Sequence, residues 1–185
     1  MPGLKTKTLS ELNYSLFQLT TKKVLLSFFN RYEIENIRYE CRTKFEKINP
    51  YGEGYDKNGW IHSDDSNKLS AIYYINGVYE EGTSFYVKKK ILEEPDLSLL
   101  DYKHKLFMGF KPDVQEYNTN LKKHNDQFLE ILNVPLIKNR IVIFDSSIYH
   151  KTNGLGSLDK PRLIQTYFFG NIYADHFPIS EIRKL

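Results

Sequence analysis

Residues 36–45 change polarity at every step. Ile37, Tyr39, Cys41, Thr43 and Phe45 alternate with Asn36, Arg38, Glu40, Arg42 and Lys44. A period of two puts the first set on one face of a pleated strand and the second set on the other, so this stretch reads as a half-buried strand. Shorter strand-like runs follow: GWIHSD (59–64), KLSAIYYIN (68–76), TSFYVKK (83–89), RIVIFDSS (140–147) and RLIQTYFF (162–169). The last two are continuously apolar over most of their length and predict strands buried on both faces. Loop signals separate the runs: NPYGEGYDKNG (49–59), the pair Asn76-Gly77, and NGLGSLDKP (153–161). Seven or eight short strands, mostly consecutive, predict an antiparallel sandwich or barrel such as a jelly roll. Helices do not alternate with strands, so a parallel α/β fold is excluded.

Two helices are expected around these strands. One lies within residues 10–33, capped by Thr20 or Thr21, with Val24, Leu25, Phe28 and Phe29 on its apolar side. The other is YNTNLKKHNDQFLEIL (117–132), with Leu121, Phe128, Leu129 and Leu132 inward and Val134-Pro135 at its end. Glu94-Pro95-Asp96 reads as a turn, and the tail beyond 172 carries Pro178 and a last helical turn. A length of 185 residues suits one domain. Its parts are a helical support (1–35), strands (36–89 and 136–172) and an insertion with a helix (90–135).

Composition narrows the class. Aromatic residues make up 15% of the chain, which agrees with the strand bias. A hydrophobic share of 41% excludes a disordered chain. A net charge of +3 is too small to argue for nucleic acid as a partner. No apolar run approaches the ~18 residues that would span a bilayer, and MPGLKTKTLSEL lacks the apolar core of a signal peptide. One cysteine, Cys41, precludes an internal disulfide and fits a reducing compartment, so a cytoplasmic chain is expected. The excess of Lys over Arg, with many Ile, Asn and Tyr, suggests AT-rich coding, as in many phages.

His62-Ser63-Asp64 places an imidazole and a carboxylate at i and i+2. On a strand those side chains share a face and both reach one ion. His124-Asn125-Asp126 has the same spacing within an expected helix, where i and i+2 diverge and do not chelate. His150 follows a buried strand and precedes a glycine-containing loop, a suitable place for a third ligand. Two His and one carboxylate with open positions are the ligand set of non-haem Fe(II) oxygenases. A closed four-ligand zinc site would need another Cys or His nearby, and Cys41 is the only thiol. Arg162 opens a buried apolar strand, where an unpaired guanidinium is costly. It predicts either an ion pair with an internal acid or a site for a carboxylate ligand.

Taken together, these residues resemble the 2-oxoglutarate- and Fe(II)-dependent dioxygenase superfamily, with the closest likeness to its prolyl-4-hydroxylase-like branch. The running pattern there is His-x-Asp, a strand ending Tyr-Leu-Asn, a Gly-Gly-Thr-x-Phe turn and strand, a second buried strand, His, then Arg or Lys. This chain gives HSDDSNKLSAIYYIN, EGTSFY, RIVIFDSSIYH and RLIQTYFF in that order, over residues 45–170. The resemblance implies a double-stranded β-helix (jelly roll) with the metal between its sheets. It implies His62, Asp64 and His150 as Fe(II) ligands and Arg162 as partner of the distal carboxylate of 2-oxoglutarate. Tyr74 sits where relatives place a hydroxyl on that carboxylate. Thr166, four residues beyond Arg162 on the same strand face, is expected to line the same pocket. Core packing is the competing reading for Tyr74 and Thr166.

The implied reaction consumes 2-oxoglutarate and O2, releases succinate and CO2, and hydroxylates a C–H bond. The chain departs from the pattern at Glu81-Gly82, which keeps half the glycine pair, in a longer 150–162 loop, and in the 90–135 insertion. Nucleic-acid demethylases of the superfamily usually carry a second Arg where this chain has Phe168, so nucleic acid is disfavoured again. A peptide, protein residue or free amino acid is the expected substrate. Tyr51, Tyr55 and Trp60 stand near His62 in sequence and are candidates to receive it, or else pack together. Two alternatives belong to other classes: a non-catalytic jelly-roll binding module, and a cupin-like metalloenzyme without 2-oxoglutarate.

Overall fold

The computed structural model describes residues 3–89 and 97–174. In chain order the elements are β1 (Gly3–Lys5), α1 (Leu9–Leu12), α2 (Tyr14–Leu25), α3 (Arg31–Asn36), β2 (Arg38–Ile48), β3 (Leu69–Asn76) and β4 (Thr83–Lys88). Then come α4 (Leu97–Phe107), α5 (Val114–Asn125), β5 (Phe128–Val134), β6 (Ile141–Asp145), β7 (Tyr149–Thr152) and β8 (Arg162–Tyr173). Every strand pairing is antiparallel: a five-stranded sheet runs β1-β2-β8-β3-β6 and a three-stranded sheet runs β5-β4-β7. The chain is thus mainly β, as the strand spacing predicts. No described helix is long and apolar enough to cross a membrane.

Period two sorts the central strands into two faces. On β3 and β8, Leu69, Ala71, Tyr167 and Phe169 pack outward against Val24, Leu25 and Phe29. The alternate residues Ser70, Ile72, Arg162, Ile164 and Thr166 point to a cavity beside the small sheet. The sheets meet where Phe85 of β4 packs edge-on against Phe144 of β6, 5.1 Å between ring centres. The crossover from β3 to β4 passes through Gly77 at φ +141° and Gly82. A Cβ on Gly82 would sit 2.0 Å from the Val134 carbonyl oxygen, so the retained half of the glycine pair is the half that packing demands.

Several expectations are corrected. The N-terminal support is three helices plus β1, which pairs with the end of β2. Asn13 caps α2 by accepting from the Leu16 amide. Thr20 and Thr21 lie inside the helix, where their hydroxyls donate to the carbonyls of Leu16 and Phe17. The helix expected over 117–132 stops at Asn125, and Phe128–Val134 is strand β5, paired with β4 from Lys88↔Phe128 to Thr83↔Val134. Ladder pairing with β4 overrides the apparent helical spacing of Phe128, Leu129 and Leu132. The insertion therefore supplies two helices and one strand. Residues 140–147 are buried only at their C-terminal end, because β6 is a sheet edge and leaves Ile141 exposed. The Glu94-Pro95-Asp96 turn, Pro178 and the last helical turn lie outside the described residues.

Candidate active site

The stretch 59–64 is not a strand. It touches β7 through one bridge, in which the His62 amide donates to the His150 carbonyl (3.0 Å) and the His150 amide donates to the His62 carbonyl (2.8 Å). Gly59 adds an amide bond to the Thr152 carbonyl at 2.9 Å. Side chains from the inserted helices hold the opposite edge. Asn125 accepts from the Ile61 amide and donates to the Gly59 carbonyl, both at 3.0 Å. His124 Nε2 and Lys103 Nζ donate to the Ile61 carbonyl at 2.7 and 3.1 Å. These side-chain bonds take the backbone groups that a neighbouring strand would have used. His124 and Asn125 of the second His-x-Asp set thus hold the first in place, while Asp126 pairs with Lys122.

Ligand atoms of His62, Asp64 and His150 lie within 4.8 Å of one another. Each imidazole Nδ1 is 2.9 Å from a backbone carbonyl two residues earlier, Trp60 for His62 and Ile148 for His150. A carbonyl only accepts, so Nδ1 carries the proton and Nε2 presents a lone pair. Those Nε2 atoms face Asp64, at 3.8 Å for His62 and 3.5 Å for His150. Asp64 is fixed in turn: its amide donates to the Ser146 carbonyl (2.7 Å), and its Oδ2 accepts from Ser70 (3.1 Å), whose hydroxyl also meets that of Ser146.

Burial shapes the electrostatics. Desolvation, then the neighbouring His150, pushes the His62 imidazole down, so it stays neutral. His150 is also pushed down by desolvation, against the opposing pull of Asp64. Desolvation raises Asp64 despite His150 and the Ser70 hydrogen bond. A divalent cation at the shared point would restore the carboxylate charge and use both lone pairs. Two neutral imidazoles and one carboxylate suit Fe(II) among transition metals.

Arg162 is 1% exposed, and its Nε has no partner. One terminal nitrogen lies 3.4 Å from the Gly154 carbonyl, and the guanidinium stands over the Tyr74 ring at 5.4 Å. Among the described residues no carboxylate comes within 4.0 Å of it; Glu46 and Glu81 act on it only through space. Desolvation pushes the guanidinium down to about 10. Tyr74 is fully buried beneath Arg162, with its hydroxyl donating to Thr83 at 2.7 Å. Thr83, rather than Tyr74, lines the cavity. Thr166 lines it too, and donates to Glu46 at 3.0 Å.

The cavity is about 390 Å³, a size typical of small-ligand sites. His62, Asp64, His150, Arg162 and Thr166 all border it, and so do Tyr51 and Trp60 on the side of the insertion. Tyr51 and Trp60 also belong to an aromatic cluster with Tyr55, Tyr102 and Tyr117. All three rings pack together as the packing reading expects; Tyr51 and Trp60 also border the cavity, whereas Tyr55 does not line it. Glu46, Ser70, Lys103 and Thr83 are cavity residues that the sequence reading did not single out. The alternation of β2 extends its polar face to Glu46 and so points that residue to solvent, whereas it is buried at the cavity; nothing local marked Lys103.

No family model matches the sequence, and no curated protein matches it. Solved structures do share its shape. EvdO2 from Micromonospora carbonacea var. aurantiaca is similar over 95% of this chain and 70% of its own, with 13% identity and a TM-score of 0.52. EvdO2 has also been solved in complex with 2-oxoglutarate, with the same match. SnoK, a non-heme alpha ketoglutarate dependent carbocyclase from nogalamycin biosynthesis, matches over 80% of this chain with 11% identity and a TM-score of 0.41. The chain spans 56% of SnoK and 46% of SnoN, the epimerase of the same biosynthesis. At these identities the likeness concerns architecture, and the chain shares the fold of EvdO2.

Proposed function

We propose that this protein is a 2-oxoglutarate- and Fe(II)-dependent oxygenase. The observation that carries the reading is a buried guanidinium without a carboxylate partner, in the same cavity as two imidazole lone pairs and a carboxylate. A buried cation of this kind persists when a ligand supplies its counter-charge. A carboxylate at Arg162 accepts two parallel N–H bonds in fork geometry. His62, Asp64 and His150 would hold the iron. Bound iron would supply the oxidative decarboxylation of 2-oxoglutarate to succinate and CO2, coupled to oxidation of a C–H bond.

The chain's own residues prepare that site. The Trp60 and Ile148 carbonyls hold both ligating imidazoles in one tautomer. Ser70 and Ser146 orient Asp64. Tyr74 supports the guanidinium with its ring and sets Thr83 with its hydroxyl. The rings of Tyr51 and Trp60 give the substrate side an apolar wall that excludes water. Hydroxylation of a peptide or free amino acid side chain is the finer reading, supported by the order of the prolyl-4-hydroxylase-like blocks.

The test is succinate formation by purified protein supplied with Fe(II), 2-oxoglutarate and O2. Slow uncoupled turnover is expected in the wild type and none in Asp64→Ala. Equal succinate from both proteins would refute the iron assignment. No succinate from either, with 2-oxoglutarate failing to bind, would leave a non-catalytic module as the better description.

A further inference from the structure

Lys103 is one of three cations that border the cavity, with Arg162 and with Lys5, which pairs with Glu46, and nothing in the proposed turnover of 2-oxoglutarate uses Lys103. It comes from α4, in the insertion, and borders the cavity beside Trp60, Leu106 and Tyr117. An ammonium has three donors. One goes to the Ile61 carbonyl at 3.1 Å, and among the described residues no carboxylate lies within ion-pair reach of the others. The titratable groups whose protonation its charge disfavours are His62 and His124, both held neutral by burial. Lys103 is half-buried, and desolvation pushes it down to about 8. The insertion thus sets a poorly solvated positive charge next to an iron-ligand segment, over an aromatic wall.

We propose that Lys103 binds a carboxylate of the prime substrate, which makes the substrate a small carboxylic acid whose body lies against Tyr51, Trp60 and Tyr117. This inference rests on the oxygenase reading above and names the substrate class of that site. A carboxylate fits better than a phosphate, because one ammonium with one donor already engaged offers a point charge and no cradle of donors. Lys5 already has Glu46 as its counter-charge, and the proposal divides the other two cations. Arg162 comes from β8 between the sheets and takes the cosubstrate, and Lys103 comes from the helical insertion and takes the molecule to be oxidised.

Trp60 is the chain's single tryptophan and lines this cavity, so its emission reports on occupation there. Protein loaded with Mn(II) and saturated with 2-oxoglutarate is titrated with phenylacetate and with phenylacetamide, a neutral analogue of the same shape. Wild type should bind the acid about tenfold more tightly than the amide, as a charge-assisted contact implies. Lys103→Met should lose that preference and Lys103→Arg should keep it. Equal binding of acid and amide by the wild type, or no response to either, overturns the proposal. So does a preference that survives in Lys103→Met. Calorimetry of 2-oxoglutarate with the Mn(II)-loaded wild type keeps the two readings apart. If 2-oxoglutarate does not bind, the oxygenase reading fails, and the acid preference repeated without it judges Lys103 alone.

Discussion

His62 and His150 bind each other through the backbone, exchanging amide bonds of 3.0 and 2.8 Å, while their Nε2 atoms both face Asp64. The spacing of the two imidazoles is therefore set by main-chain pairing. Preorganisation of this kind lowers the ordering cost of metal binding.

Metal affinity should depend on the residues that orient Asp64 as well as on Asp64 itself. Ser70→Ala removes the hydroxyl that donates to Asp64 at 3.1 Å. Its loss should weaken Co(II) binding by about tenfold, while Asp64→Ala should abolish specific binding. Titration followed by cobalt absorption separates the two cases. Unchanged affinity in Ser70→Ala would mean that the Ser146 contact to the Asp64 amide is sufficient.

Arg162→Met should split stability from binding. Without ligand the guanidinium is a buried, poorly partnered charge, so an apolar side chain of similar length should raise stability by on the order of 1 kcal/mol. Adding 2-oxoglutarate at a hundred times its Kd should stabilise the wild type by about 2.7 kcal/mol and leave the variant unaffected. Thermal unfolding with and without 2-oxoglutarate measures both. A variant less stable than wild type in the absence of ligand would show that Arg162 has adequate partners within the fold.

The pH dependence of stability should include a term from His124. The residue is 8% exposed, donates from Nε2 to the Ile61 carbonyl, and is pushed down to about 4, mainly by burial. Its folded value lies below the unfolded value, so the unfolded chain takes up the proton first as pH falls. The contribution is fully present above pH ~6.5, declines as pH drops from there to ~4, and amounts to about 3 kcal/mol at most. His62 and His150 add slopes of the same sign, so the measurement is a difference. Urea unfolding of wild type and His124→Gln apoprotein from pH 4 to 7 should give a shallower profile for the variant. Parallel profiles would refute the assignment.

Asn125→Leu should damage the metal site from a distance. It leaves the Ile61 amide and Gly59 carbonyl unpaired, at a cost of about 1–3 kcal/mol for each group that water does not reach. Asn125→Asp keeps the acceptor and loses the donor, so it should fall between. Both variants should show weaker Co(II) binding in the order of their destabilisation. Full affinity in Asn125→Leu would mean that the His62–His150 bridge alone positions the segment.

What the sequence makes legible follows from range. His62 and Asp64 are two residues apart, and Arg162 is a charge in an apolar run, so both are visible in a short window. The jump to His150 came through the order of blocks along the chain. The tethers from Lys103, His124 and Asn125 to residues 59–61 span more than forty positions, and no local pattern encodes them. Strand β5 was hidden for a related reason: FLEILNV suits either period, and only its pairing with β4 decides. Helix α4 carried a readable stripe at Leu99, Tyr102 and Leu106, and that stripe is the clue the 90–135 region offered.

The clamp from α4 and α5 onto residues 59–61 limits how this scaffold can be re-engineered. An insertion that only covered the cavity could be exchanged for another to change what the cavity accepts. Here the same two helices supply Lys103 from α4 and His124 and Asn125 from α5 to the segment that carries His62 and Asp64. A graft that replaces them wholesale would alter selectivity and unseat the ligands together. Specificity is therefore best redesigned position by position, at Leu106 and Tyr117, with the tethering side chains Lys103, His124 and Asn125 left intact.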